Sequence, residues 1–320
     1  MRNAGLAKAA GAIEPRRHAF YLEDEPASPL PAGVDSGWRF FYDKGAWRFL
    51  LGSVDQRSGG LVCMNYLPSF RLEGRKALVT GAGRGIGRAI AVGYAEAGAD
   101  VALVARTREQ LEETAALVRA AGREALVIPA DIRDADAVSA AVKTASEWAG
   151  RVDILVNNAG MNIRTPALEV TEDEWETIMQ TNLKSAFLFS QTAGRHMKEQ
   201  GGGRIVSIAS VAGHVALRTG VVYGATKAAL MHMTRILALE WGKYGINVNA
   251  LGPWYFKTSL TEKLLADPDF VGDIVARTPL RRIGELPELV GPAVFLASDA
   301  AAYVTGQTLM VDGGMTIYGF

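Results

Sequence analysis

The fold is decided by one stretch of the sequence, Thr80-Gly81-Ala82-Gly83-Arg84-Gly85-Ile86-Gly87. It follows a short apolar run, Lys76–Thr80, and opens a segment with helical patterning, Gly85–Ala97. Glycines let a backbone turn tightly and approach a ligand, while a helix N-terminus presents free N–H groups and the positive end of its dipole. Strand, glycine-rich turn and helix in this order predict a site for the diphosphate of a dinucleotide, although such a turn alone also occurs as a plain connection.

Short apolar runs and longer helical stretches continue to alternate after this turn. Most runs are apolar without alternation, as expected for parallel strands that helices cover on both faces. We predict strands at Lys76–Thr80, Asp100–Ala105, Ala125–Pro129, Ile154–Asn157, Arg204–Ile208, Ile246–Leu251 and Thr308–Val311. We predict helices at Gly85–Ala97, Glu109–Ala121, Ala135–Ala149, Glu172–Glu199 and Val221–Gly242. This order predicts an α/β fold: a single doubly wound Rossmann domain with a seven-stranded parallel sheet, helices on both faces and a site at the carboxyl ends of the strands.

Residues 1–63 differ in texture from the rest of the chain. They carry Pro26, Pro29 and Pro31, scattered charges and an aromatic patch within Trp38–Phe49, without a sustained hydrophobic period. We expect an irregular N-terminal extension that is disordered or only locally folded, or that results from a start codon assigned too far upstream. The catalytic domain is predicted to span residues 64–320.

Composition argues against several classes of protein. The 320 residues include 34 basic and 34 acidic side chains, so no overall field draws the chain to nucleic acid or to an anionic membrane. Cys63 is the only cysteine, which excludes an intramolecular disulfide and favours a reducing setting. The four histidines lack metal-ligand spacing, and no apolar run approaches the ~18 residues of a membrane span. We expect a cytoplasmic protein with no metal site, nucleic-acid partner or membrane segment.

Further motifs follow the glycine-rich turn in a recognisable order. They are Asp131 after the third predicted strand, Asn157-Asn158-Ala159-Gly160 at the end of the fourth, Asn182 in the long helix, Ser210, and Tyr223 with Lys227. With glycines at 81, 85 and 87 in the pattern GxxxGxG, they resemble the motifs of the short-chain dehydrogenase/reductase family. The resemblance runs from about Phe70 to Phe320. It implies hydride transfer between a nicotinamide cofactor and a small carbonyl or secondary alcohol.

The resemblance also implies the site residues and the assembly. The catalytic set is Asn182, Ser210, Tyr223 and Lys227. The cofactor-binding set is Gly81, Arg84, Gly85, Ile86, Gly87, Arg106, Asp131, Ile132, Asn158, Tyr223, Lys227, Pro253 and Thr258. Each residue alone has an ordinary explanation, such as a surface pair or a helix cap, but the combination at the family's spacings favours function. A homotetramer is implied, with the Glu172–Glu199 and Val221–Gly242 helices as candidate interfaces.

Tyr223 and Lys227 are four residues apart on a predicted helix, so their side chains emerge on one face. A phenol with a pKa of ~10 is a poor base at neutral pH. An ammonium about 4 Å away, at an effective dielectric near 20, contributes roughly 4 kcal/mol, which is about three pKa units. We therefore expect Lys227 to lower the pKa of Tyr223 toward working pH. Ser210 is expected to hold the substrate oxygen, and the resemblance assigns Asn182 a water that links Lys227 to solvent.

Cofactor choice depends on the end of the second predicted strand. Members that prefer NAD(H) usually carry an aspartate there, whose carboxylate accepts ribose hydroxyls and repels a 2′-phosphate. That position is Ala105 here, Arg106 follows it, and Arg84 lies in the glycine-rich turn. NADP(H) is therefore the predicted cofactor, with NAD(H) as the alternative if Arg106 is only a solvated loop residue.

The substrate is less well defined than the reaction. Gluconate 5-dehydrogenase-like members are the nearest by resemblance, through Asn162-Ile163-Arg164 and the Tyr255-Phe256-Lys257-Thr258 run. Arg164, Arg218 or Lys257 is then a candidate for binding a substrate carboxylate, although loop cations are often merely solvated. A 3-oxoacyl-carrier-protein reductase is the enzyme alternative, which an exposed basic patch beside the cleft would favour. A cofactor-binding regulator without turnover is disfavoured because the catalytic set is complete.

One residue around this site departs from the family pattern, and another has no role that the pattern assigns. Many members carry Pro-Gly after the sixth strand, whereas this chain has Pro253-Trp254. A tryptophan there requires an ordinary backbone or a reshaped loop, and its ring is expected to narrow the pocket. His214 has no recognisable partner in the sequence and is a candidate to line the pocket.

Overall fold

The computed structural model describes residues 39–43 and 46–50 as backbone strands, and residues 66–218, 220–258 and 261–319 in full. The chain divides between Tyr66 and Leu67, and the two parts are described separately. In the N-terminal part, strands β1 (Arg39–Asp43) and β2 (Ala46–Leu50) pair as an antiparallel hairpin. The sequence predicts no strand there, so this hairpin is new. The rest of the expectation for residues 1–63 lies outside the described residues.

The larger part contains the predicted parallel sheet. Its strands are β3 (Lys76–Thr80), β4 (Asp100–Ala105), β5 (Ala125–Pro129), β6 (Ile154–Asn157), β7 (Gly203–Ile208), β8 (Ile246–Pro253) and β9 (Thr308–Val311). All seven are parallel, in the order β5-β4-β3-β6-β7-β8-β9. The order reverses between β3 and β6, where a doubly wound sheet leaves a crevice for a ligand. The predicted strands are confirmed, with β8 longer by Gly252 and Pro253.

Helices cover both faces of this sheet. They are α1 (Gly85–Glu96), α2 (Arg108–Ala120), α3 (Ala135–Ala149), α4 (Glu172–Met179), α5 (Ser185–Glu199), α6 (Val221–Trp241), α7 (Glu262–Leu265), α8 (Pro268–Ala276) and α9 (Leu286–Ala297). The predicted helical segment Glu172–Glu199 keeps its bounds, but a π-helical turn at Gln180–Lys184, which the sequence does not predict, separates α4 from α5. Helices α7, α8 and α9 are not among the predicted ones, and α9 contains Pro292, which is atypical of a helix interior.

The two faces of the sheet bury separate apolar clusters. One includes Ile90 of α1 and Leu289 of α9, and the other includes Val138 of α3 and Phe189 of α5. The first layer is tightly packed, since a Cβ on Gly93 would lie 2.1 Å from a methyl carbon of Val290. This two-sided packing fixes the strand ends that carry the predicted site residues, and the predicted Rossmann architecture is confirmed.

Candidate active site

The glycine-rich turn joins β3 to α1 at the reversal of strand order. Gly81 and Gly85 have φ of +64° and +57°, values that favour glycine. A Cβ on Gly87 would lie 2.2 Å from the carbonyl oxygen of Gly81, so the turn closes directly on the helix. Arg84 precedes α1 with extended backbone and no side-chain cap. The first N–H groups of α1 therefore have no side-chain partner from Arg84 and are suited to binding an anion.

Arg88 stabilises this turn by binding one of its carbonyl groups, a role that the sequence pattern does not predict. Its guanidinium donates to the carbonyl of Gly83 at 2.5 and 3.0 Å and pairs with Glu113 at 2.7 Å. The Thr114 hydroxyl donates to the carbonyl of Ala82 at 2.9 Å. Two carbonyls of the turn are thus satisfied by side chains and need no other partner. An arginine directly after the last glycine of the motif was the available signal.

Asn158 connects the glycine-rich turn to the end of β6. Its side-chain amide donates to the carbonyls of Thr80 and Gly81, at 3.0 and 3.2 Å. In return the Thr80 hydroxyl accepts the backbone N–H groups of Asn158 and Ala159, at 3.0 and 3.1 Å. The reciprocal bonds fix the crevice between β3 and β6.

A cleft of about 580 Å³ lies at the carboxyl ends of the strands. Most of the predicted site residues line it: Gly81, Arg84, Gly85, Ile86, Arg106, Asp131, Ile132, Asn158, Ser210, Tyr223, Lys227, Pro253 and Thr258. Gly87 and Asn182 are not among its lining residues. Gly87 packs beneath the turn, and Asn182 is 1% exposed.

Asn182 lies in the π-helical turn between α4 and α5, and it holds the loop that follows β6. Its side-chain oxygen accepts the N–H of Met161 at 2.8 Å, and its amide donates to the carbonyl of Met161 at 2.8 Å. The amide also donates to the Thr226 hydroxyl at 3.3 Å, on the helix that carries Lys227. Asn182 therefore links three elements around the cleft.

Ser210, Tyr223 and Lys227 meet near the middle of the cleft. Ser210 follows β7, and its hydroxyl accepts the N–H of Ala212 at 3.2 Å. Tyr223 lies in the first turn of α6 beside Ser210. The Lys227 ammonium is buried, donates to the carbonyl of Ile208 at 2.7 Å and lies 5.6 Å from the ring centroid of Tyr223.

The protonation of this pair differs from the expectation. Burial raises the pKa of the Tyr223 phenol above its ordinary value, while the bond with Ser210 and the charge of Arg164 act in the opposite direction. Burial also lowers the pKa of Lys227 to about 8. The expected lowering of the Tyr223 pKa by Lys227 is therefore wrong in this structure, because desolvation of the phenol outweighs the favourable charges.

Charged side chains surround one end of the cleft. Arg106 is exposed at the end of β4 and forms no ion pair with any described residue. Asp131 pairs with Arg133 at 2.7 Å, and this bond together with the charge of Arg106 lowers the pKa of Asp131 to about 2. Thr258 lies on the other side of the glycine-rich turn, where a Cβ on Gly85 would be 3.7 Å from its own Cβ.

The other end of the cleft is lined by Arg164, Trp254 and Tyr255. Arg164 donates to the Tyr255 hydroxyl at 3.3 Å. Among the described residues outside glycine, only Arg281 has a positive φ, so Trp254 has an ordinary backbone and not a reshaped one. Of the other candidate cations, Lys257 lies outside the cleft in a pair with Glu285 at 2.8 Å.

A second, more open cavity adjoins this end of the cleft and shares Arg164 and Leu217 with it. His214 and Arg218 line that second cavity and not the cleft. Within the described part of the chain, no group of three or more acidic, histidine or cysteine side chains is arranged to bind a metal. No helix in that part is long and apolar enough to cross a bilayer.

A doubly wound sheet whose cleft joins a dinucleotide turn to a serine, tyrosine and lysine defines an oxidoreductase that acts on CH–OH groups. Comparison with known proteins places the chain within that class. A family model described as enoyl-(acyl carrier protein) reductase matches residues 81–316. The chain belongs to the short-chain dehydrogenase/reductase family.

Similar proteins include enzymes with different substrates. The chain is 43% identical to gluconate 5-dehydrogenase of Gluconobacter oxydans over 79% of this chain and 99% of that protein. It is 45% identical to a tropinone reductase homolog of Arabidopsis thaliana, over 78% of this chain and 95% of that protein. A crystal structure of a Burkholderia cenocepacia gluconate 5-dehydrogenase with NADP and tartrate is 42% identical, with a TM-score of 0.76, and covers 79% of this chain and 99% of that one.

Proposed function

We propose that this protein is an NADP(H)-dependent dehydrogenase that interconverts a hydroxyl and a ketone on a sugar acid, as gluconate 5-dehydrogenase does. One observation carries the proposal. A single cleft places the dinucleotide turn at one end, Ser210 and Tyr223 in the middle, and the charged Arg164 at the other end. A molecule with a carboxylate and a distant hydroxyl fits that arrangement.

The residues at the cofactor end fit a dinucleotide with a 2′-phosphate. The start of α1 has no side-chain cap from Arg84, and carbonyls of the turn that would repel a diphosphate are occupied by Arg88 and Thr114. Arg106 and Arg84 are exposed cations, and Ala105 offers no carboxylate against a phosphate. When bound, NADP(H) would supply or accept the hydride. The proposed cofactor-binding set also includes Asn158, Asp131, Ile132, Pro253, Thr258 and Lys227.

Tyr223 is the proposed proton donor and acceptor at the substrate oxygen. Because burial raises the pKa of its phenol, Tyr223 is protonated at neutral pH and suited to donating a proton to a carbonyl oxygen. Ser210 would donate a hydrogen bond to the same oxygen and stabilise the charge that develops there. Lys227 would lie close enough to hold ribose hydroxyls, and Asn182 would keep the Met161 loop in place beside it.

The charge of Arg164 favours an anionic substrate over the alternatives. A guanidinium at the substrate end would repel a ketone that carries a cationic amine, such as tropinone. An acyl carrier protein would need an exposed basic patch beside the substrate end, where Lys257 and Arg218 pair with acids at 2.8 and 3.6 Å. A regulator without turnover is disfavoured because Ser210, Tyr223 and Lys227 line the cleft with intact side chains.

Assembly and location are part of the proposal. Exposed apolar side chains on α4, α5 and α6, namely Trp175, Phe187, Ile236 and Leu239, support a homotetramer built on these helices. A single cysteine supports a cytoplasmic setting.

The test is a panel of substrates with purified protein. NADPH oxidation is followed with four substrates in turn: 5-keto-D-gluconate, the 5-keto derivative of 2-dehydro-3-deoxy-D-gluconate, tropinone and an acetoacetyl thioester. We expect kcat/KM to be highest for the keto sugar acids and to fall when NADH replaces NADPH. Preferred turnover of tropinone or of a thioester would refute the proposed substrate class.

A further inference from the structure

Trp254 makes one backbone contact that any non-proline residue could make, and a side-chain contact that a glycine at its position lacks. Its backbone N–H donates to the carbonyl of Val311 at 3.3 Å, which continues the β8–β9 pairing by one residue. Its indole N–H donates to the Thr278 hydroxyl at 3.1 Å. Thr278 is buried after α8 and donates its own proton to the carbonyl of Ile274 at 2.7 Å, so its oxygen can only accept from Trp254. Trp254 is thus held in place at both its backbone and its indole ring.

The indole in turn fixes Tyr255. The Trp254 and Tyr255 rings pack edge to face, with centroids 4.6 Å apart and an interplanar angle of 72°. Phe270 of α8 also packs edge to face with Tyr255, at 5.6 Å and 89°. Two edge-to-face neighbours restrict the rotation of a ring, and such pairs are favourable. The Tyr255 hydroxyl is therefore held at one place in the cleft wall.

Arg164 is oriented by this hydroxyl without being neutralised. Its guanidinium donates to the Tyr255 hydroxyl at 3.3 Å and to the carbonyl of Arg218 at 3.2 Å, and both acceptors are uncharged. It forms no ion pair with any described residue. A guanidinium has five N–H donors in a planar fork, so donors remain for a two-point contact with a carboxylate. The charge of Arg164 also lowers the pKa of Tyr223, which places the guanidinium within electrostatic reach of the reacting position.

We propose that Trp254 is a specificity-determining positioning residue, whose indole, bonded to Thr278, orients Tyr255 and through it Arg164, so that a substrate carboxylate binds at a set place in the cleft. This inference rests on the proposed function. It explains why a large ring stands where many family members have glycine. It also predicts that a residue outside the cleft, Thr278, influences recognition of charge inside it.

The experiment replaces Thr278 by valine, which keeps its shape and removes the acceptor, and by serine, which keeps the hydroxyl. Oxidation of D-gluconate is compared with that of D-gluconamide, which differs in lacking the charge, with NADP⁺ saturating. In Thr278→Val we expect KM for gluconate to rise about five- to tenfold, as for the loss of one hydrogen bond. KM for gluconamide, KM for NADP⁺ and kcat should stay within about twofold. Thr278→Ser should restore the parent KM for gluconate.

Trp254→Phe, which keeps an aromatic ring and removes the indole N–H, gives a second route to the same bond. Its effect on the ratio of the KM values for gluconate and gluconamide should equal that of Thr278→Val, and the double variant should change this ratio no more than either single one, because both remove one interaction. Additive losses, or equal losses with gluconate and gluconamide, would overturn the inference and indicate general damage to the fold.

Binding of tartrate, measured by calorimetry with NADP⁺ present, separates this inference from the proposed function. If the parent oxidises no sugar acid, the proposed function fails. Weaker tartrate binding in Thr278→Val than in Thr278→Ser would still support the orientation of Arg164 by Trp254 and Tyr255. A parent that binds tartrate no better than its Arg164→Gln variant would overturn the inference.

Discussion

The two ends of the cleft are built in different ways. At the proposed cofactor end the groups suited to a ligand are mainly backbone N–H groups at the start of α1, and Arg88, Thr114 and Asn158 bind the carbonyls of the adjoining turn. At the substrate end they are side chains, Arg164, Trp254 and Tyr255, contributed by separate loops and supported by α8. A backbone site needs small residues at fixed spacing, which a sequence displays. A side-chain site needs contacts between distant residues, which a sequence does not display.

The largest expected effect tests whether both ends act on one reacting centre. Tyr223→Phe keeps the ring and deletes the proton donor, so kcat should fall by the 10²–10⁴-fold typical of a general acid–base group. The dissociation constant for NADPH, measured by fluorescence, should change by less than about threefold. Tyr303→Phe, at an exposed tyrosine, is the matched control. Activity of Tyr223→Phe within a few-fold of the parent would refute the proposed role of Tyr223 as proton donor.

The second prediction concerns Lys227, which lies between the two ends. Its pKa is lowered to about 8 by burial, against ~10.4 for an unfolded lysine, so the folded state disfavours the charged form. Between about pH 8 and 10.5 the unfolded chain binds more protons, and stability should rise with pH. Relative to Lys227→Met, the parent should gain up to about 3 kcal/mol of unfolding free energy across that range.

Urea unfolding at several pH values, monitored by fluorescence, measures that difference, with Lys263→Met as a control for general alkaline effects. A pH-independent difference between parent and Lys227→Met would show that Lys227 titrates normally and is less desolvated than the structure indicates.

The third prediction tests the cofactor end alone. The double change Ala105→Asp with Arg106→Gln introduces a carboxylate and removes a cation beside the expected 2′-phosphate. A charge-assisted hydrogen bond contributes roughly 1.5–3 kcal/mol, so the preference for NADP(H) should shift about ten- to hundredfold toward NAD(H). The ratio of kcat/KM values with the two cofactors measures it. Arg108→Gln removes one cation, as Arg106→Gln does, at an arginine outside the cleft and should leave the ratio unaltered. A parent that prefers NAD(H) would contradict the assignment of these positions.

The smallest effect is expected from a change that involves neither end of the cleft, the removal of residues 1–63. We propose that their removal leaves a domain that folds and turns over at close to the parent rate. The family model begins at residue 81, and the Gluconobacter oxydans enzyme is covered to 99% by 255 residues. Thermal unfolding and kcat/KM of the truncated protein check this. An insoluble or inactive product would mean that the extension, with its hairpin, contributes to the catalytic domain.

Sequence patterns were sufficient for most of the sheet and for the cofactor end. Strand positions followed from apolar runs, because a sheet covered on both faces needs unbroken hydrophobic segments. Helix α9 was missed because its helical face is set by packing on α1 and not by local propensity, and Pro292 opposes it. The division of the long helix at Gln180–Lys184 was missed for a similar reason, since the π turn is stabilised by the contacts of Asn182 with Met161 and Thr226.

The sequence by itself determined the fold class, the family and the residues of the cleft, because glycine spacing, hydrophobic period and the Tyr223–Lys227 interval are local properties of the chain. Only the tertiary structure decided the protonation of Tyr223, the packing of Trp254 on Thr278 and Tyr255, and the presence of Arg164, but not Lys257 or Arg218, in the wall of the cleft. Each of these depends on desolvation or on contacts between segments far apart in sequence, and neither quantity exists until the chain is folded.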